Sequence, residues 1–455
     1  MDLSMIQQGE LFTLDIEDVS SEGNGIGKVN QQVVFVPNTV TGDRISSRII
    51  RVKKKHAEGK IETILENSQY RIRPRCIVAD KCGGCQWQHI DYEYQLKVKQ
   101  NQVKETLTRI GGFTDFTLEK IFSDDDLGYR NKVNYPLGVS ETGTIKAGYY
   151  QQNSHQIVNI NQCPIQDDRL NPLLKEIKED LQKLQIPVYD EKTKKGALRH
   201  LCFRIGKNTG EILLTLVSAQ VSNEVIEKQA QKWLQRYPNL VGVCLNHNPK
   251  STNVIFGKDT DLLAGRLYLN EIFAGLTFHL RPETFFQVNT TVAEALFNQV
   301  LEQLNPQGHE TVIDLYCGIG TFTLPIARKV KQVIGIESHN ISIEQANRNA
   351  EVNEIKNAKF ILGQTEVILP EMDDNPDIVI LDPPRKGCQP QVIETLLTLK
   401  PEKIVYISCH PATLARDLKM LCENGDYLLT FVQPADFFPQ TPHVETAVIL
   451  QRRKE

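Results

Sequence analysis

No stretch of about 18 apolar residues occurs among the 455 residues, so no membrane span is expected. The first residues, Met1-Asp2-Leu3-Ser4-Met5-Ile6-Gln7-Gln8, lack a basic head followed by an apolar run. That argues against a secretory signal and for a cytoplasmic protein. Repeats and low-complexity tracts are absent, which leaves no sign of a repeat array. Positive charge is not in excess either. A net charge of −4 does not advertise a nucleic-acid partner. Oligomeric state is not legible, and a monomer is the default expectation.

What is present is ordinary in bulk and specific in detail. Hydrophobic residues make up 40% and charged residues 24%, as in a soluble protein with packed cores. The length suits two to four domains. Ten cysteines are scattered, with one tight group. Without a secretory signal, metal ligation or catalysis explains them better than a disulfide framework. Charge is uneven locally. From Arg51 to Arg75 eight Lys/Arg face three Glu, a patch that suits phosphates or a solvated loop.

Residues 9–66 alternate in short runs: Glu10 to Ile16, Gln32 to Val36 and Asp43 to Ile50, with a glycine-rich turn at Gly23-Asn24-Gly25-Ile26-Gly27. Close-set short strands predict a small β-barrel. The pattern resembles a TRAM domain, an OB-like RNA-binding module. Tyr92 to Ile110 predicts one helix, with Leu96, Val98, Val103, Leu107 and Ile110 as its apolar positions. Residues 120–280 are mixed. Strand-like runs at Lys146 to Tyr150, His200 to Ile205, Ile212 to Val217 and Leu240 to Leu245 flank helical stretches at Leu170 to Leu184 and Ser222 to Arg236.

From residue 311 strands and helices alternate regularly. Strands are expected at 311–317, 332–338, 358–364, 376–382, 403–409, 427–433 and 445–451, which is a doubly wound α/β sheet. In such sheets ligands bind beyond the carboxyl ends of the strands. Those ends carry Asp314 with Gly318 and Gly320, then Glu337, Gln364, Asp382-Pro383-Pro384-Arg385 and Cys409. A seventh strand running antiparallel would start at the same edge with Glu445. Singly each has a bland reading: a helix cap, a loop glycine, a core cysteine. Five at one edge outweigh those readings.

The loop Asp314-x-x-x-Gly318-x-Gly320 lacks the third glycine of a dinucleotide fingerprint, which favours S-adenosylmethionine. Glu337, 23 residues after Asp314, suits ribose hydroxyls. Amino-methyltransferases carry an aromatic after Pro-Pro. Arg385 stands there instead, which disfavours methylation of an exocyclic amine. Cys409 in such a crevice suits a weak carbon nucleophile such as uracil C5. A thiolate adding to C6 makes C5 reactive, a carboxylate such as Glu445 removes the C5 proton, and Asp382 or Gln287 serves the uracil edge. The target base must leave its stack to reach such a pocket.

The chain resembles the RNA uracil-5-methyltransferases, specifically the 23S ribosomal RNA type with an iron–sulfur cluster. The resemblance spans nearly the whole chain. It rests on Phe285-Phe286-Gln287-Val288-Asn289, Asp314-Leu315-Tyr316-Cys317-Gly318, Asp382-Pro383-Pro384-Arg385, Ser408-Cys409-His410-Pro411-Ala412-Thr413 and Phe438-Pro439-Gln440-Thr441-Pro442-His443-Val444-Glu445. It implies Cys409 as nucleophile and Glu445 as base, with Gln287, Tyr316, Thr321, Glu337, Gln364 and Asp382 around the cofactor. It implies three parts: an N-terminal OB-like TRAM β-barrel (1–66), a central α+β domain with the cluster (67–90 and 119–280), and a C-terminal Rossmann-like methyltransferase (91–118 and 281–455). The partner it implies is 23S rRNA, engaged at a flipped uridine in a loop or single-stranded region. A tRNA substrate is the alternative, and a non-catalytic RNA-binding or ribosome-assembly factor is the third.

Cys76-x5-Cys82-x2-Cys85 is tight, and 77 residues lie between Cys85 and Cys163. By spacing alone these four suit zinc and an iron–sulfur cluster equally. The resemblance implies [4Fe–4S]. Trp87, Gln88 and His89 beside it are either RNA contacts or buried under the cluster.

Overall fold

The computed structural model describes residues 6–220, 224–372 and 375–453. The first five residues of the N-terminal part, and Ser222 at the start of one expected helix, lie outside the described residues.

The N-terminal sheet has six strands, in the order Leu11–Asp15, Arg44–Val52, His56–Glu66, Gln32–Val36, Gly25–Val29, Asp18–Val19. Pairing between Arg44–Val52 and His56–Glu66 slips register at three places. Such bulges bend and twist the two long strands. Leu14, Val34, Val36, Ile45, Ile49 and Ala57 form its buried core. The glycine-rich run is not one turn. The turn is Ser20–Asn24, and Gly25 already begins a strand. A Cβ on Gly25 would stand 1.9 Å from the Thr39 hydroxyl, so close strand packing explains that glycine. Three cations of the basic stretch, Lys53, Arg71 and Arg75, have carboxylate partners. Lys53 meets Glu58, and Arg71 meets the buried Asp43 through Nε at 3.0 Å.

The central sheet has seven strands, ordered Asp259–Gly265, Leu240–His247, Ile212–Ser218, Leu198–Ile205, Lys132–Val139, Ile145–Tyr150, Ile157–Asn159. Only Ile212–Ser218 and Leu240–His247 pair in parallel, joined by the helix described as Glu224–Arg236. That helix and Asn171–Lys183 cover the sheet with Leu174, Ile177, Leu181 and Trp233. The hairpin Leu269–Phe273 and Leu276–Leu280 leaves this sheet. Its Phe273 and Phe278 pack with Phe286, Phe297 and Phe322 in the core of the C-terminal part.

The C-terminal sheet has seven strands: Thr311–Leu315, Gln332–Glu337, Ala358–Leu362, Ile378–Leu381, Lys403–Ser408, Tyr427–Ala435 and Glu445–Arg452. Numbered by chain order, they lie third, second, first, fourth, fifth, seventh, sixth. The first five are parallel, and the seventh runs antiparallel between fifth and sixth. Side chains alternate between two dry faces. Val312, Ile378, Ile380, Val405 and Ile407 join one core, and Ile313, Val379, Ile404 and Tyr406 the other. Burial on both faces is what a parallel sheet with helices on each side requires.

The helix Tyr92–Thr106 packs on the second face through Leu96 and Val103. Asp91 caps it by accepting from the Tyr94 N–H at 3.2 Å. It does not run to Ile110 as one α-helix. A π-turn spans Leu107–Gly111, and the wider turn rotates Ile110 into solvent. Val98 faces a separate small cluster with Trp87 and Ile90. Lys99, on the same helix, is fully buried. Its Nζ donates to Asp436 Oδ1 at 2.7 Å and to the Phe438 carbonyl at 3.1 Å.

Candidate active site

The first strand ends in a strained loop. Tyr316 holds φ at +67°, a left-handed conformation that a bulky residue adopts only under constraint. The loop is tied to the second strand, with Cys317 N–H donating to the Ile336 carbonyl at 3.1 Å. Glu337 closes that strand. Its carboxylate accepts from the Gly318 N–H at 3.2 Å and the His339 N–H at 2.8 Å, which orients it at the mouth of the loop. Asp314 lies beneath, fully buried. Burial pushes its carboxyl up to about 7, against the pull of the Thr323 hydroxyl, which donates to it at 2.5 Å.

Asp382 follows the fourth strand. Gln287 Nε2 donates to its Oδ2 at 3.4 Å. Gln287 is itself held by the central sheet, because Asn131 Nδ2 donates to the Gln287 carbonyl at 2.8 Å. Burial, then the nearby Asp314, push Asp382 above the usual carboxylate range.

Cys409 follows Ser408, the last residue of the fifth strand. The turn into the helix Pro411–Cys422 is built from local bonds. Ser408 Oγ accepts from the His410 N–H at 3.1 Å, and His410 Nδ1 accepts from the Thr413 N–H at 3.3 Å. Pro411 at the first helical position loses no hydrogen bond. The thiol is therefore presented at a fixed strand-to-helix corner.

Glu445 opens the seventh strand, and pairing register brings it to the cysteine. Ser408 lies opposite Thr446, so the next pair outward would be Cys409 and Glu445. Glu445 is buried. Burial and the Asp382 charge push it well above the usual carboxylate range, and Arg385 opposes them. Cys409 is pushed up to about 11 by burial and by the Glu445 charge, again opposed by Arg385. The Arg385 guanidinium donates to the His443 ring at 2.9 Å. Burial and Arg385 hold His443 down to about 4, so its neutral ring is available to accept.

One cavity of about 740 Å³ joins these groups. Gln287, Tyr316, Glu337, Gln364, Asp382, Cys409 and Glu445 all line it, as do Phe285, Phe438 and Arg385. Its size suits a nucleoside cofactor with a base beside it. Thr321 is buried and absent from the wall; Thr323 makes the bond to Asp314 instead. Two of the cavity's three aromatic wall residues, Phe285 and Phe438, are not among those expected at the site. Both lie in quoted motifs, so the signal was available.

The loop Asp436–Gln440 carries Phe438 into the cavity and leads to Glu445. It is bound from three directions. Besides the Lys99 pair, Tyr129 hydroxyl donates to the Pro439 carbonyl at 3.1 Å. Gln95 and Gln440 exchange two hydrogen bonds, at 3.0 and 3.1 Å. The N–H groups of Gln86 and Trp87 both donate to the Gln440 carbonyl at 3.0 Å.

The four cysteines expected to hold a cluster come together in the fold. Cys76, Cys82, Cys85 and Cys163 are free, and they lie within electrostatic reach of one another. Burial raises Cys85 to about 12 and Cys163 to about 11, and charges on neighbouring thiols of the group add to both shifts. Yet among the described residues no group of three or more His, Cys, Asp or Glu stands in metal-holding geometry. The Cys82 sulfur is turned to the Gly84 N–H at 3.4 Å. The four converge without forming the ligand set expected of a [4Fe–4S] or zinc site. Trp87 and Gln88 are buried, so they are not RNA contacts.

Among the described residues no helix is long and apolar enough to cross a membrane. A family model described as tRNA (Uracil-5-)-methyltransferase matches residues 91–453, and a TRAM domain model matches residues 6–61. An uncharacterized RNA methyltransferase of Nostoc sp. is 57% identical over 451 residues, covering 99% of this chain and 98% of the relative. One from Synechocystis sp. is 53% identical over 446 residues, covering 98% and 96%. Among solved structures, the Pyrococcus abyssi tRNA (uracil-54, C5)-methyltransferase in complex with S-adenosyl-L-homocysteine is 28% identical. It aligns with a TM-score of 0.78 over 96% of this chain and 100% of that one.

Proposed function

The chain belongs to the S-adenosylmethionine-dependent RNA uracil-5-methyltransferase family, and from that premise we propose that it methylates C5 of a uridine in 23S rRNA through a covalent Cys409 adduct. The observation that carries this reading is the register that sets Glu445 beside Cys409 in one cavity.

Cys409 is a thiol in the free enzyme, so its proton passes to water as the base binds. The sulfur bonds to C6, and the C5–C6 electron pair moves out to an enolate at O4. Asp382 and Gln287, bonded to each other, meet the uracil edge. C5 then takes the methyl that S-adenosylmethionine supplies, and S-adenosylhomocysteine leaves as the thioether. Glu445 takes the C5 proton; burial makes it a stronger base than an exposed carboxylate. The electrons released restore the C5–C6 double bond and expel the Cys409 sulfur. Gln287, Tyr316, Glu337, Gln364 and Asp382 are the proposed cofactor contacts, with Glu337 on the ribose. Thr321, off the wall, is not.

The division of labour follows the three parts. Residues 1–66 bind RNA as a TRAM module. Residues 67–90 and 119–280 form the central RNA-reading part. Residues 91–118 and 281–455 carry the chemistry. Cys76, Cys82, Cys85 and Cys163 supply four sulfurs that would hold an iron–sulfur cluster as a structural staple; closing on it requires them to shift from their present positions. Iron and sulfide content after anaerobic purification tests this, and protein with four titratable thiols and no iron rejects it.

The similarity to the Pyrococcus tRNA enzyme favours a second reading, a tRNA uridine as target. Trapping tests the chemistry for both. RNA carrying 5-fluorouridine should form a covalent adduct with the wild type and none with Cys409→Ala. No adduct on any RNA sinks the covalent reading. Mass-spectrometric mapping of 5-methyluridine in rRNA and tRNA from a deletion strain separates the two targets.

A further inference from the structure

Glu283 stands in the wall of the same cavity, four residues before Gln287, and the chemistry above gives it no role. Its side chain is 3% exposed. Both carboxylate oxygens are buried without a hydrogen-bond partner. A buried carboxylate with no donor is costly, and such groups are rare unless something completes them.

Three cations surround Glu283 without completing it. Lys132 Nζ donates to the Pro282 carbonyl at 3.0 Å and the Thr284 carbonyl at 3.4 Å. Arg204 donates to the Arg281 carbonyl at 2.9 Å and to the Thr284 hydroxyl and carbonyl. Arg281 Nε stands 3.6 Å from Oε2, an ion pair beyond hydrogen-bonding range. The cations stand around the carboxylate, yet the hydrogen bonds of Lys132 and Arg204 go to backbone carbonyls of residues 281–284 and to the Thr284 hydroxyl. The lone pairs of the carboxylate thus stay open beside a ligand cavity.

We propose that Glu283 is a further binding residue of this cavity, accepting a hydrogen bond from an N–H group of a bound ligand. This rests on the proposed function, which brings two ligands carrying such groups. The cofactor has an α-ammonium, and a nucleobase has ring or exocyclic N–H.

The test compares wild type with Glu283→Gln, which keeps the size and removes the charge. S-adenosylhomocysteine and 5′-methylthioadenosine, which lacks the amino-acid tail, are titrated calorimetrically without RNA. In a second arm, adduct formation with 5-fluorouridine rRNA is timed against RNA concentration. A loss of about tenfold or more for S-adenosylhomocysteine, with methylthioadenosine unchanged, assigns the ammonium as donor. An equal loss in apparent RNA affinity, with S-adenosylhomocysteine unchanged, assigns a base. Both arms within twofold of wild type overturn the proposal, even if the melting temperature falls, because a mere counter-ion would behave that way. If Glu283→Gln does not fold, Glu283→Asp is read by the same criteria. Failure of the wild type to form any adduct strikes the proposed function alone, and the cofactor arm still decides Glu283.

Discussion

A nucleophilic cysteine is commonly expected to be reactive, and the geometry here predicts the opposite for the free enzyme. Cys409 is pushed up to about 11 by burial and by the Glu445 carboxylate. Against an ordinary thiol near 8.5, that leaves about 300-fold less thiolate at pH 7.5. The more basic thiolate is intrinsically more nucleophilic, which returns about tenfold. Alkylation of Cys409 by iodoacetamide should therefore run about 20–30-fold slower than that of glutathione. The logarithm of its rate should climb by about one per pH unit from 7.5 to 10. Glu445→Gln removes a raising charge and should speed alkylation; Arg385→Ala removes the lowering one and should slow it. Peptide mass spectrometry reads Cys409 apart from the other nine cysteines. A rate equal to glutathione at pH 7.5, or one flat between pH 8 and 10, would refute the reasoning.

Glu445→Gln should leave thiol addition and methylation intact but stall elimination, so methylated protein–RNA adduct should accumulate on gels; free turnover would remove the base role. Lys99→Met strands the buried Asp436 charge and should cost about 3–5 kcal/mol in urea unfolding. Lys99→Met with Asp436→Leu should recover most of that loss, and an equal loss in both would show that the ion pair was not its source. Burial opposes the ionised form of Asp43, but hydrogen bonds from Arg71, Ser68 and Val40 prevail and hold its pKa below the ordinary value. A carboxyl lowered on folding gives stability that is full above its unfolded pKa and fades as pH falls through the folded one. Arg71→Met should therefore move the acid-unfolding midpoint of the N-terminal module upward, read by fluorescence; an unchanged midpoint would discount the pair.

The C-terminal sheet was legible because strand ends in a parallel sheet share one edge. Asp314, Glu337, Gln364, Asp382 and Cys409 could be gathered by counting strands alone. Glu445 needed one further fact, the antiparallel course of its strand, and its register against Ser408 is long-range information. Local pattern failed where tertiary contact decided. Lys99 occupies a position that reads as solvent-facing, and only Asp436, 337 residues away, makes its burial tolerable. Lys132–Val139 alternates at Val133, Tyr135, Leu137 and Val139, but Pro136 and Gly138 between them are residues that sheets disfavour, so it did not read as a strand. Gly25 read as a turn because the Thr39 hydroxyl that excludes a side chain there cannot be seen in the neighbouring sequence. The four cysteines show the converse: spacing suggested ligands, and the fold brings them near one another without the ligation geometry.

The recognised methyltransferase region begins at residue 91, but its structural support begins earlier. The Gln440 carbonyl takes its two donors from Gln86 and Trp87, and the Trp87 ring lies 5.7 Å from the Lys99 ammonium while its indole N–H donates to the Gly23 carbonyl at 3.2 Å. A fragment cut at 91 would keep every residue of the proposed reaction and lose the underpinning of the loop that carries Phe438. Swapping RNA-reading modules between relatives therefore has a natural seam, and it lies upstream of residues 86–90: that short segment, bonded to Gln440 and Gln95, must travel with the methyltransferase, as though the enzyme's true first element were the stretch that precedes its fold.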